Sequence, residues 1–191
     1  MTFPVSAFSN IEFELVSDTR AAEARLFRYT SKGSKEPYFM FALTTTPVGY
    51  AEGMALAAEL DSYQGELETF TLQSPFTAIG NATSMSLTDT FDKGVKVINV
   101  TCSGTPSAGD FIQISGSTKA YSIRRVNGTG AGTYDLTLSQ GLIQKYFDYA
   151  TIKYASQVSF QVCMTNRDSA KIDAKKGMNE FVFDVELIEQ L

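Results

Sequence analysis

The sequence predicts a mainly β protein with one α-helix, in which a small barrel or sandwich interrupts a larger sheet. Two observations predict this class. Short segments that alternate apolar and polar residues recur along the chain, as they do in half-buried strands. One stretch, Ala55–Phe76, instead contains the apolar spacing of a short helix before it returns to a strand pattern.

The N-terminal region is predicted to form three strands. Ile11–Val16 alternates with period two, and Ala24–Tyr29 and Tyr38–Leu43 are further β-rich segments. Ser31–Lys35, which separates the last two, contains Gly, Ser and Lys and predicts a loop.

A single helix is predicted next. Thr46 is a candidate cap and Pro47 a candidate first residue, with the full helix expected after Gly49. Its narrow apolar stripe is formed by Leu56, Leu60 and Tyr63. Gly65 is the predicted stop and Leu67–Leu72 the next strand, and the stripe is expected to cover one face of a sheet.

The middle of the chain is rich in short strands separated by turn residues. Up to about residue 92 it has weak periodicity, and regularly spaced strands then follow. The predicted strands are Val95–Cys102, Phe111–Ile114, Tyr121–Val126 and Tyr134–Leu138. This spacing predicts a small barrel or sandwich.

The C-terminal region returns to the first pattern. Ser156–Met164 and Phe181–Ile188 alternate, with a Lys-rich loop predicted over Thr165–Lys176. We expect the closing strand to complete the first sheet, so that residues 1–75 and 156–191 form one domain and residues 76–155 an insertion. A linear arrangement of two domains is the competing interpretation.

Composition excludes several classes of function. A net charge of −5 and a pI near 4.8 argue against a nucleic-acid partner. The basic pairs Arg124–Arg125 and Lys175–Lys176 are expected on the surface. No apolar run is long enough to span a membrane, and the N-terminal residues lack the pattern of a secretory signal. Because the chain has no histidine, His-based nucleophiles and His-based metal sites are excluded.

Two groups of residues have features of chemical sites, and each is expected to be structural. Gly128–Gly132 is followed by a strand pattern, so a hairpin is favoured over a phosphate loop. Asp89, Asp92 and Asp110 are too sparse for a calcium loop and are expected to be solvated. We therefore predict no catalytic, cofactor-binding or metal-binding residues, and no cofactor.

The cysteines and a cluster of aromatic residues are expected to contribute to packing rather than to chemistry. Cys102 and Cys163 lie in strand-like surroundings and are predicted to be buried free thiols. The aromatic cluster, which consists of Tyr146, Phe147, Tyr149 and Tyr154, is predicted to serve core packing or a subunit interface.

Several segments resemble one protein family. The segment MALAAELDSYQGELETFTLQSPF is similar to the helix, turn and strand of distal tail proteins from long-tailed bacteriophages. The segments VKVINVTC, SAGDFIQI, KAYSI and YDLTLSQGL resemble the inserted domain of that family. The segment FVFDVELIEQL resembles the final strand of the family's proteins. The most telling element is Ala108–Phe111, followed by Lys119 and Tyr121. The similarity extends from about Phe8 to Leu191.

The resemblance implies a fold and a role. It implies a β-sandwich with one α-helix, interrupted by an inserted OB-like β-barrel. It also implies a non-enzymatic virion protein that forms a hexameric ring and joins the tail tube to the tip or baseplate hub. The implied partners are other copies of the chain, the tail tube protein and the hub protein. The implied location is the distal end of the tail, with assembly in the host cytoplasm.

A ring subunit needs apolar surface that its neighbours cover. The apolar residues of Tyr38–Leu43 and of positions 181–187 exceed the need of one small sheet face. The predicted partner interface consists of Tyr38, Phe39, Phe41, Phe181 and Phe183.

Two other functions compete with the ring. One is a carbohydrate-binding or host-adsorption module that uses the inserted barrel and the aromatic cluster, since OB folds bind saccharides in some proteins. The other is a carboxylate-based hydrolase.

Overall fold

The computed structural model describes residues 5–16, 19–24, 27–32, 38–62, 69–130, 132–164, 171–172 and 180–190. Within these residues the protein is mainly β, with one α-helix, a closed barrel of six strands and a separate sheet. The predicted fold class is confirmed.

The chain divides into two compact units. The first contains Phe3–Phe70 and Val162–Leu191, and the second contains Thr71–Gln161. The second unit therefore interrupts the first in sequence. That the two are separate domains, with limits at residues 75 and 156, stays a prediction.

The first unit contains most of the separate sheet. The strands of this unit are β1 (Asn10–Val16), β2 (Thr19–Ala24), β3 (Phe27–Lys32), β4 (Tyr38–Thr44), β5 (Val48–Gly49), β14 (Lys171–Ile172), β15 (Glu180–Phe181) and β16 (Phe183–Glu189). Of these, β2 pairs with β3 and β5 pairs with β15 in two separate two-stranded sheets. Two strands, β6 (Phe70–Gln73) and β13 (Ser159–Met164), contain the division between the units. The sheet order is β1-β4-β16-β13-β6, and β14 pairs with β16.

The closing strand β16 belongs to this sheet, as predicted, and occupies its interior. It pairs antiparallel with β4, placing Leu187 opposite Phe41 and Val185 opposite Leu43. All four side chains are buried, so the alternation of both strands turns one apolar face to the core. Burial of a side chain of this size contributes about 1.5–3 kcal/mol.

The N-terminal strands differ from the prediction at one place. The predicted strand Ala24–Tyr29 is wrong, because β2 ends at Ala24 and β3 begins at Phe27, and these strands pair antiparallel. No Gly, Pro or Asn occurs between Ala24 and Phe27, so the sequence contains no turn signal there. The predicted loop Ser31–Lys35 overlaps the end of β3, and residues 33–35 lie outside the described residues.

The helix α1 comprises Tyr50–Asp61 and begins after Gly49, as expected. The predicted cap at Thr46 is wrong, because β5 lies between Thr46 and the helix and pairs with β15. At the other end the Ser62 hydroxyl donates to the Glu59 carbonyl over 2.6 Å. The helix thus ends before Gly65, which lies outside the described residues together with Tyr63.

The buried face of α1 consists of Gly53, Leu56 and Leu60. Leu56 and Leu60 are the two described members of the predicted stripe. The helix contacts β5 and β15, where Phe181 lies against Gly53. That the helix covers a face of the larger sheet stays a prediction.

The second unit is built around the closed barrel. Its strands are β7 (Thr83–Leu87), β8 (Val97–Ser103), β9 (Phe111–Ile114), β10 (Ala120–Gly130), β11 (Thr133–Leu138) and β12 (Thr151–Tyr154). They close in the order β10-β11-β8-β7-β12-β9, and every pair is antiparallel. Because the barrel is closed, it has no free sheet edge. It contains six strands, one more than an OB fold.

Four of the six barrel strands correspond to predicted ones. The other two, β7 and β12, were not predicted, because the first is rich in Ser and Thr and the second follows an aromatic-rich segment. Gly128–Gly132 lies where β10 connects to β11, so the predicted hairpin is confirmed.

We expect Gly53→Ala to destabilise the protein. A Cβ at residue 53 would lie 2.6 Å from Cδ2 of Phe181. Overpacking typically costs about 1–3 kcal/mol, which exceeds the gain of about 1 kcal/mol that alanine brings to a helix. Urea unfolding should therefore show a net loss of about 1 kcal/mol.

Phe181→Ala supplies the control for this change. In a protein that already carries Phe181→Ala, Gly53→Ala should raise the free energy of unfolding by up to about 1 kcal/mol. A stabilising effect of Gly53→Ala in the unchanged background would contradict the packing described here.

Candidate functional site

The predicted partner interface is largely buried by the chain itself. Phe39, Phe41 and Phe183 are 1%, 1% and 0% exposed, because they lie on the inner faces of β4 and β16. They therefore offer no surface to a partner, which corrects their place in the predicted set. Tyr38 and Phe181 are partly exposed and are the members that a partner can still reach.

An exposed apolar surface lies instead beside α1, and we call Tyr50, Met54 and Phe181 the helix patch. Tyr50 and Met54 are 59% and 50% exposed and lie one helical turn apart. The rings of Tyr50 and Phe181 are 5.7 Å apart, centroid to centroid. The sequence did not predict Tyr50 and Met54 as interface residues, because they lie outside the apolar stripe of the predicted helix.

The surface of α1 is also acidic. Glu52, Glu59 and Asp61 are exposed, and the helix contains no Lys or Arg. Glu59 and Asp61 belong to the last turn, where the helix dipole disfavours negative charge by about 0.3–1 kcal/mol each. The exposed part of α1 thus carries apolar side chains and acidic side chains, with no basic residue on the helix.

A second exposed surface lies on the barrel and consists of Phe147 and Tyr149, which we call the aromatic loop. These side chains are 66% and 77% exposed, whereas Tyr146 and Tyr154 of the same predicted cluster are buried. The cluster therefore divides into core residues and surface residues. Lys145 lies beside the loop, 5.9 Å from the centroid of Phe147 and 3.2 Å from a carboxylate oxygen of Asp92.

The aromatic loop is fixed by hydrogen bonds to the barrel. The backbones of Tyr146 and Phe91 exchange two bonds of 2.9 Å, and the Tyr149 N–H donates to the Leu87 carbonyl over 3.0 Å. The Tyr146 hydroxyl lies 3.1 Å from that of Tyr121, inside the barrel. These contacts hold the backbone of the loop in place, which lowers the entropic cost of ordering the loop when it binds a partner.

The backbone of Tyr149 has φ = 59°, which is unusual for a residue other than glycine. A left-handed conformation of this kind costs about 1–2 kcal/mol. An exposed tyrosine at such a position contributes little to the core, and strained positions of this type occur often at binding sites.

Asp110 is buried rather than solvated, and the prediction for this residue is wrong. It is 3% exposed. Its two carboxylate oxygens accept hydrogen bonds from the N–H groups of Ile79 and Gly80, over 2.7 and 2.9 Å, and one also accepts from the Tyr154 hydroxyl. These donors offset the cost of burying a charge.

Tyr154 extends the same network. Its hydroxyl accepts a bond of 3.2 Å from the Ser107 N–H. Burial, and after it the hydrogen bond to Asp110, raises the pKa of Tyr154 above its ordinary value. Gly80 allows the close approach, since a Cβ there would lie 2.5 Å from the Tyr154 hydroxyl.

Asp110 belongs to the motif that carried the resemblance, and the other residues of that motif are buried as well. Phe111 is buried in β9, and Lys119 and Tyr121 are buried at the start of β10. The motif thus marks buried positions of the second unit rather than a reactive surface. The burial of Asp110 has no local sequence signal, because its donors at residues 79, 80 and 154 are remote along the chain.

The remaining candidate groups show no cluster of reactive side chains. Asp89 and Asp92 are exposed, and Cys102 and Cys163 are buried free thiols, as predicted. Burial raises the pKa of the Cys102 thiol, which lowers its reactivity. In the part of the chain that the structure describes, no three acidic or cysteine side chains are grouped to hold a metal ion.

The described helix is too short to cross a membrane.

Neither the protein-family models nor the curated proteins contain a match to this chain.

We expect Asp110→Asn to destabilise the protein by about 2–4 kcal/mol, because the amide nitrogen would face backbone donors and leave them unpaired. Asp92→Asn is the matched control, since Asp92 forms an exposed ion pair worth at most about 1 kcal/mol. Equal losses for the two variants, measured by urea unfolding, would show that the Asp110 network is not a main support of the barrel.

The raised pKa of Tyr154 predicts a loss of stability in alkaline solution. Above about pH 10 a tyrosine in the unfolded chain ionises, while Tyr154 in the folded chain keeps its proton. The unfolded chain then binds fewer protons, so stability falls with rising pH by at most about 1.4 kcal/mol per pH unit from this group.

Tyr154→Phe lacks this titration. Its deficit in unfolding free energy relative to the unchanged protein should therefore shrink between about pH 8 and about pH 11. A constant difference over that range would contradict the raised pKa.

Proposed function

We propose that this chain is a structural virion protein, a distal tail protein of a long-tailed bacteriophage. It forms a hexameric ring that joins the tail tube to the tip or baseplate hub, and it has no catalytic activity. Its partners are further copies of itself, the tail tube protein and the hub protein. It acts at the distal end of the tail and assembles in the host cytoplasm.

The observation that carries this proposal is the order of elements along the chain. A closed barrel within Thr71–Gln161 interrupts a unit that contains a sheet and a helix, and the chain then returns to place β16 inside that sheet. The distal tail resemblance implies the same order. Its most telling motif supports the proposal further, because Asp110, Phe111, Lys119 and Tyr121 are all buried in the second unit.

The surfaces of the chain support an assembly role. The helix patch leaves large apolar side chains half exposed on the first unit, which is the unit proposed to form the ring. A non-enzymatic role is supported by the absence of histidine from the sequence and by the use of Asp110 as a structural acceptor.

We expect the purified protein to form a six-fold ring. Its mass in solution should be about 125 kDa, six times the 20.9 kDa of the chain, and electron micrographs should show a ring with a central hole. The same measurements should be made after mixing with the tail tube protein. A monomer at every concentration, with no ring in the mixture either, would contradict the proposal.

The aromatic loop favours a second candidate function, the binding of a saccharide on the host surface. Phe147 and Tyr149 present exposed rings on a hydrogen-bonded loop, and Lys145 and Asp148 lie beside them in sequence as potential polar contacts. Aromatic faces of this kind can stack on sugar rings.

A glycan array tests this candidate. If it is correct, the protein binds a glycan saturably, and the double variant Phe147→Ala with Tyr149→Gly loses that binding at least about tenfold without loss of stability, since glycine relieves the strain at residue 149. Val97→Ala removes an exposed apolar side chain elsewhere on the barrel and is the control. No saturable binding by the unchanged protein would exclude the candidate.

A further inference from the structure

The strands β2 and β3 form a two-stranded ribbon that we call the arm, residues Thr19–Ala24 and Phe27–Lys32. The pairing of β1 with β4 ends at Val16 opposite Tyr38, and the pairing of β2 with β3 starts at Thr19 opposite Lys32. Along the chain the arm therefore lies between β1 and β4, and its strands pair antiparallel as β1 and β4 do. Among the described residues its strands pair only with each other.

A two-stranded ribbon is a weak structure by itself. It buries little apolar surface, and isolated hairpins are at best marginally stable in water. Both outer edges of the arm also have backbone groups without a strand partner in the described chain. These properties indicate that the arm is completed by another surface.

The charge of the arm is opposite to that of the rest of the chain. Residues 19–24 and 27–32 contain three basic and one acidic side chain, so their net charge is +2 within a chain of net charge −5. The remaining residues contain 13 basic and 20 acidic side chains. A surface on the rest of the chain is thus, on average, electrostatically attractive to the arm.

The helix patch and the acidic residues of α1 match the arm best. Glu52, Glu59 and Asp61 are exposed on a helix without Lys or Arg, and Tyr50 and Met54 add exposed apolar area on the same helix. A basic partner near Glu59 and Asp61 would also offset their unfavourable position at the end of the helix.

We propose that the arm of one copy of this chain docks on the α1 surface of a second copy. The arm of the same copy is not the occupant, since Tyr50 and Met54 are half or more exposed in the single chain. The contact is heterologous, because the arm and α1 are different surfaces. Heterologous contacts produce a closed ring where the rotation closes and a filament where it does not. Closure at six copies rests on the proposed function; the arm contact itself does not.

A charge-swap experiment tests the contact. The arm variant combines Arg20→Glu, Arg28→Glu and Lys32→Glu, and the helix variant combines Glu52→Lys, Glu59→Lys and Asp61→Lys. In each variant the arm and α1 then carry the same sign and repel each other. Each variant alone should need at least about tenfold more protein to assemble, as measured by light scattering and native mass spectrometry.

An equimolar mixture of the two variants should restore assembly. The acidic arm of the first variant fits the basic helix of the second, and the basic arm of the second fits the acidic helix of the first. The product should contain equal numbers of both chains. Arg124→Glu with Arg125→Glu and Lys153→Glu reverses three exposed charges on the barrel and should leave assembly unchanged.

The outcomes separate this inference from the ring itself. A ring that forms equally well with the arm variant overturns the arm contact and leaves the ring proposal standing. A dimer or filament that shows the charge-swap pattern supports the arm contact and contradicts the six-fold ring. An unchanged protein that stays monomeric, or a mixture that fails to restore assembly, overturns the arm contact.

Discussion

Strand β16 is held against β4 at both of its ends, and the first unit depends on this pairing. At one end the N–H of Phe183 donates to the Thr45 hydroxyl over 3.0 Å, and the Thr45 N–H donates to the Phe183 carbonyl over 3.0 Å. At the other end the buried Glu189 carboxylate accepts from the Phe39 N–H over 3.1 Å. Polar bonds at the two ends therefore fix the register that brings the apolar residues of both strands to one face.

This pairing also explains how the chain tolerates a large insertion. The two strands are separated by 138 of the 191 residues, and the cost of closing a loop grows only slowly with its length. Because the second unit has its own core inside a closed barrel, it shortens the flexible chain that must be closed. The first unit needs non-local pairing to fold, which predicts slow formation of its sheet.

The aromatic residues serve two different purposes in the same short segments. Tyr146 is buried with its hydroxyl next to that of Tyr121, while its neighbour Phe147 is exposed. Phe183 is buried, while Phe181 lies at the surface against Gly53 and Tyr50. In both segments a buried ring anchors the backbone and a nearby ring is presented to solvent, so the presented ring is held on a rigid support.

Much of the fold could be predicted from the sequence, because local periodicity depends on neighbouring residues alone. Ile11–Val16, Phe111–Ile114 and the start of the helix after Gly49 were predicted within one residue. The sequence by itself also excluded histidine chemistry. What it left open depends on partners distant along the chain.

The tertiary structure alone decided the burial of Asp110, because its donors at residues 79, 80 and 154 are remote in sequence. It likewise decided which aromatic residues lie at the surface, since an alternating pattern does not say which face is covered. The order of strands in the sheet and the closure of the barrel were settled in the same way. The sequence thus determined the elements and their approximate order, and non-local packing determined which side chains remain available for binding.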